Sequence, residues 1–392
     1  MKKILILGGT FFQIPVIKYA KSQGHTVITC DYLPNNPAHS LADLYVNVST
    51  TDKDAVLSLA KEKKIDGILA YASDPAAPTA AFVAEELRIP GNSYKSVEIL
   101  SEKHLFRSFL KKNRFNYPKF ELATNQYEFN KVIANFNYPF VVKPVDSSGN
   151  KGITIVRSKA NSRDVFNKAL QYSRLGKVII EDFIHGPQIH GDGFVLNGEL
   201  LFAHLGDHMF NEHTDNSTMY PSNLDDTVII KAKAEVNKVI KKLGFSNGGV
   251  NIEIRVDEKT GEPHIIEIGA RNGGHFTPDI ITHATDFDFA RSAVDAALGI
   301  PYKQQKIKNN GYFLNLILYA KKNGIFKSLN LDTKLKDSLV SSCVYKKRGD
   351  TLIAGRTSNT SVAVLQLSFN TREQMETIYN DSEDLYEIEM ED

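Results

Sequence analysis

Cysteine is scarce in this 392-residue chain: Cys30 and Cys343 are its only two, and they lie far apart. That excludes a disulfide framework and a cysteine-based zinc site, and it fits a reducing cytoplasm. Neither sign of charge is in excess. With 47 Lys and Arg against 46 Asp and Glu the formal net charge is +1, which removes the electrostatic case for nucleic acid or a membrane surface as main partner. No apolar run approaches the length of a membrane span, and the apolar part of MKKILILGG is too short for a secretory segment. Internal repeats and low-complexity tracts are also missing. What remains is a chain of 42% hydrophobic and 24% charged residues, expected to form two or three domains of a soluble cytoplasmic protein.

Two phosphate-binding patterns are present only in part. After the apolar run KILIL (3–7), the stretch Gly8-Gly9-Thr10-Phe11-Phe12-Gln13 lacks the second and third glycines of a dinucleotide fingerprint. Two phenylalanines occupy the turn where backbone would have to meet pyrophosphate, so nicotinamide binding is disfavoured. Gly9 and Phe11 are instead expected to face a small substrate, together with Asp74 of ASDPAAPTAA (72–81), which precedes a helix at the strand ends. The second partial pattern is KPVDSSGNKGI (143–153). It is not a Walker loop, because Gly149-Asn150-Lys151-Gly152 is followed by Ile153. Its small residues between Lys143 and Lys151 still let backbone N–H groups approach an anion, although a plain hairpin turn accounts for the same residues.

Hydrophobic periodicity divides the chain. Short apolar runs alternate with helical patterns to about residue 92, the mark of a small doubly wound, Rossmann-like domain. From Ser93 to about Leu110, SYKSVEILSEKHLFRSFLKK is an amphipathic helical stretch leading out of it. Residues 93–300 alternate strands and helices, and Asn197-Gly198 marks a hairpin. Residues 301–392 form an α+β segment without an interpretable motif.

Near the end of the middle region, GGVNIEIRVDEKTGEPHIIEIGARNGG (248–274) makes two strands around an Asp-Glu-Lys-Thr-Gly turn, and Glu253 and Glu267 each interrupt an apolar strand. If the hairpin register matches, the two carboxylates approach. Their repulsion is then best relieved by a divalent cation, for which magnesium is suited; the alternative is that one of them faces solvent. VIIEDFI (178–184) is an apolar strand that breaks into an extended acidic segment able to offer backbone groups to a purine edge.

In this order, the K-P…S-S-G-x-K-G-I loop, the I-E-D-F-I-x-G segment and the E…E-x-x-x-R run resemble the ATP-grasp superfamily, from residue 1 to about 300. The resemblance is nearest to its carboxylate–amine ligase branch, which includes carbamoyl phosphate synthetase and biotin carboxylase halves. It implies an α/β ATP-grasp fold over residues 93–300, with a lid at about 113–180, behind a Rossmann-like substrate domain. It further implies that Lys103 and Lys143 bind ATP phosphates, that Ser148, Gly149, Lys151 and Gly152 form a phosphate lid, and that Glu181, Asp182, Phe183 and Ile184 hold adenine. Glu253 and Glu267 would bind magnesium, with manganese as a substitute, and Arg271 would act with Lys143 on the reacting acyl phosphate.

Two positions depart from the family pattern. Gly269 stands where an asparagine metal ligand is usual, leaving water or Asn272 to substitute, and Gln188 replaces a ribose-binding acid. The implied activity is ATP-dependent joining of a carboxylate to an amine, releasing ADP and phosphate, on a small amino acid, amino-sugar or nucleotide-type metabolite. A bicarbonate-using carboxylase and a non-catalytic nucleotide-binding protein are the alternatives. The partners are small-molecule carboxylates and amines, and a homodimer belongs to the same expectation. His208, His213, His275 and His283 fall toward the substrate side, and His275, just past the metal segment, is the best placed.

Overall fold

Apolar runs near the N-terminus pair side by side in a parallel sheet. In the computed structural model, which describes residues 1–159, 162–209, 217–355 and 360–391, these are β1 (Lys3–Leu7), β2 (Thr26–Cys30), β3 (Leu44–Val46) and β4 (Gly67–Ala70), in the order β3-β2-β1-β4. Helices pack on both faces, as a parallel sheet of buried strands requires. Gly8 ends β1 at φ +108°, a conformation that favours glycine, and so turns the chain into the loop expected to meet substrate.

The 93–112 stretch is two helices rather than one, Tyr94–Ser101 and Lys103–Lys112, with Glu102 extended between them. The break has a visible cause: the Lys103 amide donates to Val145 O at 2.9 Å, away from its own helix, and so fixes the Lys103 side chain at a helix start.

A small antiparallel sheet follows, made of β5 (Phe120–Ala123), β6 (Phe140–Pro144), β7 (Thr154–Val156) and β8 (Val178–Asp182) in the order β5-β8-β6-β7. The 145–153 loop joins β6 to β7.

The largest sheet begins with β9 (Gln188–Leu196) and β10 (Glu199–His208), turned through Asn197 and Gly198, both at positive φ as a type I′ hairpin needs. It continues with β11 (Thr218–Tyr220), β12 (Gly248–Val256) and β13 (Pro263–Gly269). The remaining strands are β14 (Tyr312–Tyr319), β15 (Gly324–Leu331), β16 (Leu339–Val344), β17 (Thr351–Leu352), β18 (Ser361–Phe369) and β19 (Tyr386–Met390). Three of these extend the large sheet, whose order is β13-β12-β9-β10-β11-β14-β18-β16, while β17-β15-β19 form a separate sheet.

The period of two in these strands sorts the faces of the large sheet. Ile189, Leu205, Ile252, Ile254 and Ile268 join the core under the helix Asp226–Leu243. Their neighbours in sequence, including His190, Glu253 and Glu267, share the opposite face, toward which the site is built.

Candidate functional site

Glu253 and Glu267 are direct partners across β12 and β13, with a bulge just after Glu253, and His190 on β9 is the next residue in the same row. Burial and then the charge of Glu267 push the Glu253 carboxyl up to about 7. A proton or a cation relieves such a pair. Lys103 Nζ lies 3.3 Å from Glu267 Oε2 and donates to Ser147 O at 2.7 Å, tying the glycine loop to the carboxylates. Among the described residues no group of three or more His, Cys, Asp or Glu forms a protein-only cage. Two carboxylates suit magnesium, which commonly completes its shell with phosphate oxygens and water. Asn272 is buried, its Nδ2 donating to Asp192 Oδ2 at 3.0 Å and its Oδ1 packed against Gly249. At Gly269 a Cβ would stand 3.4 Å from Asp74 Oδ1 and from the Arg271 guanidinium.

Lys143 is buried, with Nζ 2.6 Å from Glu181 Oε2, and Arg107 Nε approaches Glu181 Oε1 at 2.8 Å. Arg107, 0% exposed, is a site residue that sequence reasoning missed, because an arginine in an amphipathic helix reads as a solvated one. It also donates from Nη2 to Ile266 O at 2.8 Å, beside Glu267. Burial alone would raise the Glu181 carboxyl; the charges of Arg107 and Lys143 outweigh it and hold it down to about 2. The Glu181 side chain is therefore committed to the lysine and arginine. Phe183 lies under the Arg255 guanidinium at 4.7 Å, and Arg255 Nη1 donates to Ile184 O at 3.4 Å. Asp182 is partly buried. Gln188 Nε2 is 3.2 Å from His208 Nδ1 and 3.5 Å from Glu253 Oε2, so it borders the carboxylate pair.

Arg271 makes a fork with Asp74: its Nε donates to Asp74 Oδ1 at 2.7 Å and its Nη2 to Oδ2, so that the first sheet's strand-end loop meets the end of β13. Arg271 holds the Asp74 carboxyl low against the opposing effect of burial, helped by the Ser148 hydroxyl. The turn after Arg271 is fixed from β9. Asp192 accepts from Asn251 Nδ2 at 2.7 Å, from Asn272 Nδ2 at 3.0 Å and from the Gly273 amide at 2.8 Å. Asp192 was not anticipated either; its one sequence cue was an acid inside an otherwise apolar strand. Gly149, Asn150 and Gly152 hold positive φ in the loop that also carries Ser148 and Lys151. Gly9 packs against the His39 ring, Phe11 against Tyr345, and His275 Nδ1 lies 3.1 Å from Tyr345 Oη. His283 is on the helix Thr277–Thr285, and His213 lies outside the described residues.

A cleft of about 200 Å³ opens among Lys103, Asp74, Ser147, Ser148, Arg174 and Glu267. A larger cavity of about 600 Å³ backs on to Arg271 and Asn272, but small apolar side chains such as Ala70, Ala81 and Ala293 dominate its wall. Asp74, Lys103 and Glu267 thus line the smaller cleft, while Arg271 borders the larger cavity.

Residues 136–279 match the ATP-grasp domain. The chain is 26% identical over 332 residues to the carbamoyl phosphate synthase large chain of Caldanaerobacter subterraneus subsp. tengcongensis, a match covering 79% of this chain and 30% of that one. It thus spans less than two thirds of that relative's length. Its fold is similar to that of an L-amino acid ligase from Bacillus licheniformis, with a TM-score of 0.82, 21% identity and coverage of 100% and 99%. It is also similar to the biotin carboxylase domain of Hydrogenobacter thermophilus 2-oxoglutarate carboxylase, a dimer in complex with MgADP, ADP and bicarbonate. That match has a TM-score of 0.78, 18% identity and coverage of 99% and 90%.

Proposed function

We propose that this chain, whose residues 136–279 match the ATP-grasp domain, is an ATP-dependent carboxylate–amine ligase of the ATP-grasp superfamily. The observation that carries the reading is the facing Glu253–Glu267 pair with Lys103 against it. Two carboxylates kept side by side, one of them driven up to about 7, are costly without a cation, and the adjoining lysines suit the phosphates such a cation would accompany. In this reading residues 1–92 form the substrate-side domain, 93–300 the nucleotide-binding part with its lid at about 113–180, and 301–392 a C-terminal part.

A carboxylate is a poor acyl donor because its leaving group would be oxide. One of its oxygens attacks the γ-phosphorus of ATP and the bond to the ADP oxygen breaks. The amine nitrogen then attacks the acyl carbon, the C–O bond to phosphate breaks and the nitrogen loses a proton. Lys103 and Lys143 hold the phosphates, and the backbone of Ser148, Gly149 and Gly152, with Lys151, covers them and excludes water. Glu253 and Glu267 would hold magnesium, which would offset charge on the transferring phosphoryl group. Asp182, Phe183 and Ile184 border the adenine site, Glu181 orients Lys143, and Gln188 meets the ribose. Arg271 leaves Asp74 to bind the acyl oxygen, while Asp192 keeps the arginine's turn in place.

Coupled ADP release across pools of acids crossed with amines, with and without bicarbonate, tests the reading. Release that needs both an acid and an amine supports it. Dependence on bicarbonate alone, or ATP binding without any stimulated turnover, overturns it.

Lys143→Ala is expected to weaken ATP binding by about ten- to hundredfold through loss of a charge-assisted phosphate contact. Glu181 keeps Arg107, so the fold should survive. Titration calorimetry showing unchanged ATP affinity would make Lys143 an ordinary buried strand-end charge.

Mg-ATP is also expected to slow proteolysis in the 147–152 loop severalfold, because phosphate gives its backbone N–H groups acceptors. Equal cleavage rates with and without Mg-ATP would remove the loop from the phosphate site.

A further inference from the structure

The last part of the chain, which carries no readable motif, brings an aromatic ring to the substrate side. Tyr345 follows β16, and its ring centroid lies 5.8 Å from those of Phe11 and Phe12 and 6.0 Å from that of His275. Phe12 meets Phe276 nearly edge-on at 5.4 Å. Three segments remote in sequence, the loop after β1, the loop after β13 and the end of β16, thus build one aromatic cluster.

Two features mark the cluster as more than filler. His275 and Phe276 both hold left-handed backbone, φ 49° and 56°, which residues of this bulk adopt only when their surroundings impose it. Buried amides of the C-terminal strands impose it here: Asn315 Nδ2 on β14 donates to His275 O at 3.0 Å, and Gln366 Nε2 on β18 to Phe276 O at 2.8 Å. The cluster also adjoins the reacting end of the site, since His275 follows Arg271 by four positions on the loop after β13.

Its chemistry is selective. The five side chains are uncharged at neutral pH, burial lowering His275 to about 4, and the stretch Gly8 to Gln13 contributes no cation. A phosphate substituent would find no counter-charge among these groups. All five residues are partly exposed, and their rings suit an apolar or aromatic group.

We propose that Phe11, Phe12, His275, Phe276 and Tyr345 form the side-chain pocket for one of the two substrates, and that this substrate is an amino acid with a large apolar or aromatic side chain. The inference rests on the ligase reading above. It gives residues 301–392 a role as one wall of the pocket and as the support of the loop opposite.

The test uses the full chain with Mg-ATP and single L-amino acids as probes, each supplying both carboxylate and amine: phenylalanine, leucine, alanine and aspartate. ADP release with phenylalanine or leucine should exceed that with alanine or aspartate about tenfold or more. Tyr345→Ala should raise KM for phenylalanine about tenfold while KM for ATP moves less than about threefold, and Tyr345→Leu should recover most of the KM for leucine. Phe11→Ala, on another segment, should repeat the pattern even where the first variant folds poorly. Preference for aspartate or for a phosphorylated amine, or KM changes equal for phenylalanine and alanine, overturns the pocket while leaving the ligase standing. Failure of the ligase reading looks different: Mg-ATP binds, yet no amino acid and no acid–amine pair releases ADP, and both proposals fall.

Discussion

Glu267→Gln is expected to lower turnover about a hundredfold and to move the magnesium dependence to higher concentration, while ATP affinity without metal stays the same or improves. Glutamine keeps the shape of the side chain and removes one negative ligand. When no cation lies between them, the carboxylates and the phosphates repel, so loss of one carboxylate favours the metal-free complex. The measurement is turnover across a magnesium titration, paired with calorimetry of ATP binding in chelator. An unshifted magnesium curve with normal turnover would remove the metal site from the reading.

The same substitution has a pH signature in the metal-free protein. Glu253 binds its proton more tightly folded, at about 7, than its ordinary value of 4.5. The folded state therefore holds more protons between those values, and this group's contribution to stability declines as pH rises from about 4.5 to about 7. Removing the Glu267 charge relieves part of that shift. Glu267→Gln should thus be as stable as the parent near pH 4.5 and gain on it above pH 7, set against the lost contact with Lys103. Thermal melts in chelator across this range would read it, and magnesium should erase the difference by stabilising the parent.

How legible each part was depended on how local its cause is. The Glu253–Glu267 pairing could be anticipated because a short turn fixes the register of a hairpin and the side-chain period is two. The Rossmann-like opening was legible for a similar reason, since continuous apolar runs separated by helical patterns leave few topologies. Helix 93–112 was misread as continuous because its break comes from a bond between the Lys103 amide and Val145 O, a contact made only after folding. Arg107 and Asp192 hide for a related reason: a buried charge has no local sequence mark, and its partners, Glu181 and the Gly273 amide, lie 74 and 81 positions away. The wall from the C-terminal strands is the least legible. Asn315 and Gln366 reach the 275–276 backbone only because β14 pairs with β11 and β18 with β14, and nothing near either residue specifies that register.

Arg107→Ala should be the most destabilising single change at the site, by about 3–5 kcal/mol, the range for stranding one partner of a buried ion pair. Glu181 would keep Lys143 alone in an environment that is 2% exposed, Ile266 O would lose its donor, and the space left by a fully buried guanidinium would stay unfilled. The effect carries its own control. In the parent, Glu181 titrates at about 2 against an ordinary 4.5, so its pairing stabilises the fold fully above about 4.5 and is lost as pH falls toward 2. Without Arg107 the carboxyl loses the strongest charge opposing its burial and takes up a proton at higher pH. The gap in urea stability between parent and variant should therefore be widest at neutral pH and narrow as the pH is lowered below 4.5, leaving only the cost of the cavity. A gap below about 1 kcal/mol at pH 7 would place Arg107 among exposed helix cations. A large gap that does not change with pH would assign the loss to packing alone and leave Glu181 held by Lys143 without help.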